Sequence, residues 1–190
     1  MKIGYGVRVL DNLSSGSLKN LSQIMDEIEF IEGDCKNYQE VFDSIKGVEI
    51  VFHLAANPEV RLELCDPKTC FRENVYSTHV VLEAIRKSDV KTLAFISSST
   101  VYGDAEMIPT PEDYPPKPIS VYGASKLASE SLITAYAHTY GFKAVIYRLA
   151  NIVGPRSKHG VIHDFLQKPR EKSEETRNTW RRNTAEVISI

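Results

Sequence analysis

The sequence predicts an α/β fold, a parallel β-sheet with helices on both faces. Three observations carry this. Short apolar runs alternate along the chain with segments whose apolar residues fall at helical spacing. The runs are nearly continuous, as in EIVFHLA at 49–55, which is the pattern of a strand covered on both sides. Turn residues separate the elements, at Gly33-Asp34, Gly47, Gly141 and Gly154-Pro155.

Taken in order, 5–10 reads as a strand ending at Asp11, and the loop NLSSG at 12–16 leads into a short helix over 18–25. Residues 28–31 form a second strand. Val41, Phe42 and Ile45 give 38–46 a helical period, with Gly47 as its C-terminal cap. Beyond the strand at 49–55, the segment 74–87 is amphipathic, with Val75, Val80, Val81, Leu82 and Ile85 available for a buried stripe. A strand at 92–96 runs into Ser97-Ser98-Ser99. The proline-dense stretch 109–118 must be loop. Ser120 caps a helix over 121–140, closed by Gly141, and 143–149 is the last strand.

Composition bounds the function. The 190 residues carry 23 Lys+Arg against 25 Asp+Glu, a formal net charge of −2, and 42% are hydrophobic. Such a chain buries a core and is not disordered in bulk. Its balanced charge offers no general attraction to nucleic acid or to an anionic membrane, so neither is expected as a partner. No apolar run approaches the roughly 20 residues of a spanning helix. Met1-Lys2-Ile3-Gly4 does not begin a secretory signal, and Cys35, Cys65 and Cys70 form no C-x-x-C. Three thiols in a reducing cytoplasm, with no zinc site, are the expectation. After Lys168 the composition turns charged and polar. The expected organisation is a domain over 1–168 and a poorly ordered tail over 169–190.

The sharpest chemical signal is Tyr122-Gly123-Ala124-Ser125-Lys126. On a helix, positions i and i+4 share a face. A phenol near pKa ~10 is a poor base at neutral pH, and an ammonium beside it is expected to bring it toward working range. Upstream, the strand at 92–96 delivers Ser97, Ser98 and Ser99 to its carboxyl end, where open parallel sheets bind ligands. A serine hydroxyl there both holds a substrate oxygen and stabilises a tyrosinate.

These motifs, with VRVLDNLSSG at 7–16, HLAA at 53–56, ENVYSTHVVLEA at 73–84, ISSSTVYG at 96–103 and YRLANIVGP at 147–155, resemble the extended short-chain dehydrogenase/reductases. Among these the sequence resembles the nucleotide-sugar epimerase/dehydratase group, and the 4-epimerases of UDP-hexoses most of all. The resemblance covers about 3–167. It implies a Rossmann-like, doubly wound parallel sheet, an NAD cofactor, and a UDP-sugar substrate interconverted at C4 through a transient 4-keto form. Tyr122 would transfer the proton, Lys126 would tune it and hold the nicotinamide ribose, and Ser98, with Ser99 beside it, would bind the reacting hydroxyl. Asp11 and Asn12 would meet the adenosine ribose, an acid there favouring NAD over NADP. Asp34 and Cys35 would reach the adenine side. Leu54, Ala55 and Ala56 would pass under the cofactor with Asn74 nearby, and Asn151 would touch the sugar nucleotide. The helices over 74–87 and 121–140 would pair in a homodimer.

The sequence departs from the pattern at both ends. The family opens with a strand and a glycine-rich turn into a helix, which lets the backbone approach the pyrophosphate. Gly4-Tyr5-Gly6 cannot supply that turn, since Val9 stands where another glycine belongs and a strand follows. The expected fold therefore lacks its first strand, glycine-rich turn and first helix, leaving the strands near 7–10 and 50–54 as unpaired neighbours of a gap. Impaired activity, with no measurable turnover and no NAD retained on purification, is the corresponding expectation. Past Phe165 the family carries L-G-D-G-x-Q. One permitted back-translation of 177–190, read one base later, yields that segment, which suggests a reading frame lost near Lys168. Two other readings remain open: a dehydratase or decarboxylase of the same family, and a non-catalytic remnant that associates with a complete homologue.

Overall fold

The computed structural model describes residues 4–57, 66–150 and 152. The chain divides into two compact units, one of 1–103 with 116–149, the other of 104–115 with 150–190. All regular structure among the described residues belongs to the first. In the second, Tyr114 Oη accepts from the Glu106 amide at 3.2 Å and Thr110 Oγ1 donates to the Met107 carbonyl at 2.9 Å.

Among the described residues five strands, β1 (Val7–Asp11), β2 (Ile28–Glu32), β3 (Ile50–His53), β4 (Thr92–Ser98) and β5 (Lys143–Leu149), form two sheets. Both are wholly parallel. β1 pairs with β2, placing Asp11 opposite Glu32, and β4 lies between β3 and β5, with Phe95 opposite His53 and Ile146. Among the described residues β1, β2, β3 and β5 each have one edge without a strand. Four α-helices among the described residues accompany them: α1 (Tyr38–Ser44), α2 (Pro67–Cys70), α3 (Ser77–Ile85) and α4 (Val121–Tyr140). A π-helical turn, Phe71–Tyr76, joins α2 to α3.

One core serves α1, α3, α4 and the face of β4 that carries Leu93 and Phe95. Val41, Leu82, Ile85 and Ile133 fill it, and Leu10 of β1 and Val51 of β3 pack against its margin. The opposite face behaves differently. Ile50, Tyr147 and Leu149 are exposed, and Phe52 is 64% exposed. The described helices thus cover one side of the three-stranded sheet.

Several sequence expectations need correction. The segment 18–25 is not one helix but two single 3₁₀ turns, Leu18–Asn20 and Met25–Glu27, with turns between. Leu18 and Ile24 stay exposed, so no apolar stripe offsets the cost of helix nucleation. The helix expected from 74 begins at Pro67, where Asp66 accepts from the Lys68 and Thr69 amides and proline sits in the first turn. β4 runs two residues past 96, because Ser97 and Ser98 continue the ladder with Arg148 and Leu149. Cys70 is disulfide-bonded, against the expectation of three thiols, and Cys35 is free. Cys65 and the tail 169–190 lie outside the described residues.

Candidate active site

The end of β4 is built to present a hydroxyl. Ser98 closes the strand and caps the 3₁₀ turn Ser99–Tyr102, its Oγ accepting from the Thr100 amide at 3.3 Å and from Thr100 Oγ1 at 2.9 Å. Gly103 ends that turn at φ 63°, where a side chain would strike the Lys117 carbonyl. α4 starts at Ser120, whose Oγ accepts from the Gly123 amide at 3.0 Å. Gly123 lets this helix end close on the turn, since a Cβ there would stand 2.7 Å from the Thr100 carbonyl oxygen.

That close approach brings the three residues singled out by sequence together. The Tyr122 phenol lies close enough to the Ser98 hydroxyl for that group to favour its ionised form. Lys126, 3% exposed, donates from Nζ to the Ile96 carbonyl at 2.9 Å. Its ammonium lies 4.8 Å from the Phe95 ring centroid and 5.9 Å from that of Tyr122. Burial pushes Lys126 down to about 8, opposed by the Glu130 carboxylate. Burial also raises the Tyr122 phenol above its ordinary value, opposed by the Ser98 hydroxyl. This corrects the expected effect of the ammonium. In the free chain desolvation dominates, and Lys126 spends its proton on a backbone carbonyl.

Behind this group lies an ion pair the sequence reading missed. Glu130, 4% exposed, accepts from Ser97 Oγ at 2.5 Å and from Arg148 Nε at 3.1 Å through Oε1. Its Oε2 accepts from Arg148 Nη2 at 2.8 Å. Arg148 Nη1 in turn donates to the Tyr102 hydroxyl at 3.0 Å. The signal for Glu130 was present: Tyr122, Lys126 and Glu130 succeed one another at four-residue steps on one helix face. Its partner required the β4–β5 register.

Asn74 is buried and its amide is used inside the protein. Oδ1 accepts from the Asn57 amide at 2.7 Å, and Nδ2 donates to Ser125 Oγ at 2.9 Å. It ties the loop after β3, which carries Leu54, Ala55 and Ala56, to the helix that bears Tyr122. The Asn74 carbonyl, within the π-helical turn, accepts from Thr78 Oγ1 at 2.6 Å and Ser129 Oγ at 3.2 Å. Because Thr78 Oγ1 donates there, it accepts from His53 Nε2–H at 3.0 Å. Burial, with the Lys126 charge adding to it, holds that imidazole neutral and pushes it down to about 3.

Asp11, Asn12, Asp34 and Cys35 gather at the carboxyl ends of β1 and β2. Asp11 Oδ1 accepts from the Leu13 amide at 2.7 Å, Asn12 Nδ2 donates to Asp34 Oδ2 at 3.1 Å, and Lys36 Nζ pairs with Asp34 at 3.0 Å. Although its partial burial works the other way, these bonds hold the Asp34 carboxyl below its ordinary range. Burial, with the Asp34 and Asp11 charges, pushes the Cys35 thiol up to about 11, so it is no nucleophile at neutral pH. Lys36 also reaches Glu73 at 2.5 Å, which joins this group to the π-helical turn beside Asn74. Leu54 and Ala55 are exposed and Ala56 half-buried, while Ser99 lies in the turn after Ser98. Asn151 lies outside the described residues.

The chain matches the family described as NAD dependent epimerase/dehydratase over residues 1–184. A crystal structure of UDP-galactose 4-epimerase shares 48% identity at TM-score 0.77, covering 87% of this chain and 54% of that one. The UDP-glucose 4-epimerase of Thermotoga maritima, solved with UDP-glucose, shares 35% at TM-score 0.79, covering 86% and 55%. A dTDP-glucose 4,6-dehydratase of Mycolicibacterium smegmatis is 34% identical over 153 residues, 78% of this chain and 46% of the relative. The chain spans about half the length of the curated relatives it matches. The parallel sheets agree with these similarities, and the chain belongs to the NAD dependent epimerase/dehydratase family.

Proposed function

We propose that this chain carries the reacting half of an NAD-dependent epimerase that interconverts UDP-hexoses at C4. The observation that carries the reading is the convergence of Ser98, Tyr122 and Lys126 at the end of β4. The residues fit the cofactor at its two ends. Asp11 and Asn12 present acceptors suited to a ribose, with Asp34 toward the adenine, and Lys126 and Tyr122 stand where the nicotinamide end would lie. For the pyrophosphate the sequence offers no glycine-rich strand-to-helix turn.

The chemistry NAD supplies when bound is the acceptance and return of a hydride. Tyr122, as the phenolate, takes the proton of the C4 hydroxyl and gives it back, the sugar passing through a 4-keto form. Ser98 holds the same oxygen by hydrogen bond. Lys126, charged, would favour the phenolate only once bound ligands draw its ammonium toward Tyr122, because in this structure burial dominates the phenol. Asn74 fixes the loop after β3 against α4, so that the apolar floor of Leu54, Ala55 and Ala56 keeps its distance from Tyr122. A homodimer through the helices at 74–87 and 121–140, and a cytoplasmic location, belong to the same proposal.

A dehydratase needs further acid–base groups after the strand hydroxyl. Here those positions are Ser99 and Thr100, and Thr100 donates to Ser98, which favours the epimerase reading. Nuclear magnetic resonance titration with UDP-galactose and NAD together tests it. The expected result is weak, fast-exchange binding that shifts the signals of Ser98, Tyr122 and Lys126. Shifts confined to other residues would overturn the reading. Turnover is expected below detection in this chain, and stoichiometric NAD after purification would contradict that part.

A further inference from the structure

The carboxylate of Glu130 is a buried charge that the proton chemistry above does not use. It lies where α4, β4 and β5 meet. Its own helix, α4, carries Tyr122 and Lys126 on the same face. Through Ser97 Oγ it grips β4 one residue before Ser98. Through Arg148 it grips β5, and Arg148 extends the contact to Tyr102 in the 3₁₀ turn that Ser98 caps. The Arg148 guanidinium also lies 5.0 Å from the Tyr102 ring centroid.

We propose that Glu130 is a positioning residue, which locks the end of β4 against α4 so that Ser98 faces Tyr122 and keeps the Lys126 ammonium charged beside them. The assignment rests on reading Ser98, Tyr122 and Lys126 as the reacting group. A buried carboxylate is costly unless it is paired and hydrogen-bonded, and Arg148 and Ser97 meet that demand. An ordinary structural ion pair would stop there. Glu130 differs in sitting one helical turn from a lysine that is itself buried, so its charge acts on the lysine as well as on the arginine. Lys126 is faced from α4 by Tyr122 and Glu130, from β3 by the neutral His53 ring, and from β4 by the Ile96 carbonyl and the Phe95 ring. Among these groups Glu130 is the one that carries negative charge. Arg148, on β5, tempers it.

The charges give opposite signs for two substitutions. Glu130→Gln keeps the shape and still accepts from Ser97, but removes the charge, and the Lys126 titration should fall by about one unit. Arg148→Gln leaves the carboxylate untempered, and the same titration should rise. The measurement is the pH titration of the Lys126 Nζ signal by nuclear magnetic resonance in the intact chain, with circular dichroism as the check on folding. It needs neither turnover nor bound NAD. The epimerase reading can therefore fail on its ligands while this titration behaves as expected, and the reverse. If Glu130→Gln does not fold, Arg148→Gln carries the test, its arginine being partly exposed. Glu130→Asp, which keeps the charge, should hold the titration near its original position. A Lys126 signal unmoved in a folded variant of either charge-removing kind, or moved in the same direction by both, would overturn the proposal.

Discussion

In the β3–β4–β5 sheet the central strand has a partner on each edge, and Leu93, Ala94 and Phe95 are shut away from water. In the β1–β2 pair no residue is fully buried. The polar groups at the two carboxyl ends differ accordingly. At the end of β4, burial moves Lys126 down, Tyr122 up and the nearby His53 far down, so the protonation of these groups is poised by desolvation. At the end of β1 and β2, Asp34 is held charged, against its own partial burial, by local turns and by a mostly covered lysine. In the proposed function one end would move a proton and the other would hold hydroxyl and amine groups. The contrast follows from how many strands and helices stand around each, rather than from the side chains alone.

The largest expected effect tests that difference in burial. Phe95→Ala should cost about 3–5 kcal/mol of stability in urea unfolding, since the ring is fully buried and carries the Lys126 ammonium on its face. Val9→Ala in β1, half-buried in the two-stranded sheet, should cost about 1 kcal/mol. Equal losses would break the comparison.

A second effect is confined to acid. His53 binds its proton only near pH 3 when folded, but near the ordinary 6.5 when unfolded, so the unfolded state takes up more protons between those values. Stability should be unaffected above pH 6.5 and fall by up to about 1.4 kcal/mol per pH unit below it. His53→Gln should flatten that slope in urea titrations run at several pH values. An unchanged slope would sharpen the question of which buried group is responsible.

The smallest effect belongs to the open end. Asp34→Asn removes a pair whose carboxylate is 36% exposed, and should cost at most about 1 kcal/mol at neutral pH. Because the folded carboxyl is held low, the contribution of Asp34 is present above its unfolded pKa and lost as pH falls below it. A larger loss at neutral pH would show that the β1–β2 end is more tightly organised than its exposure implies.

Much of the three-stranded region was legible in the sequence. The bounds of α4 and β5 follow from Ser120 as N-cap, from Gly141 in the left-handed region at φ 79°, and from the apolar run that follows. The Tyr–Lys spacing and the serine run pointed to the end of β4, where the structure brings Ser98, Tyr122 and Lys126 near one another. The start of the helix at Pro67 was also readable, since aspartate before proline is a strong opening signal, but the apolar stripe drew attention to its second half. Other features lay beyond side-chain pattern. The last two residues of β4 depend on a ladder with β5, and Arg148 meets Glu130 only through that register. The titration of Tyr122 was misjudged because spacing fixes which residues are neighbours, while the sign of the shift depends on burial and on where the Lys126 proton is spent.

The central claim is that Ser98, Tyr122 and Lys126 form one reacting group for a sugar hydroxyl. A crystal of this chain grown with UDP-galactose and NAD tests it most directly. The account predicts the hexose C4 hydroxyl within hydrogen-bonding reach of both Tyr122 Oη and Ser98 Oγ. A hexose bound at the end of β4 with that hydroxyl turned away from both, or bound elsewhere on the chain, would contradict it.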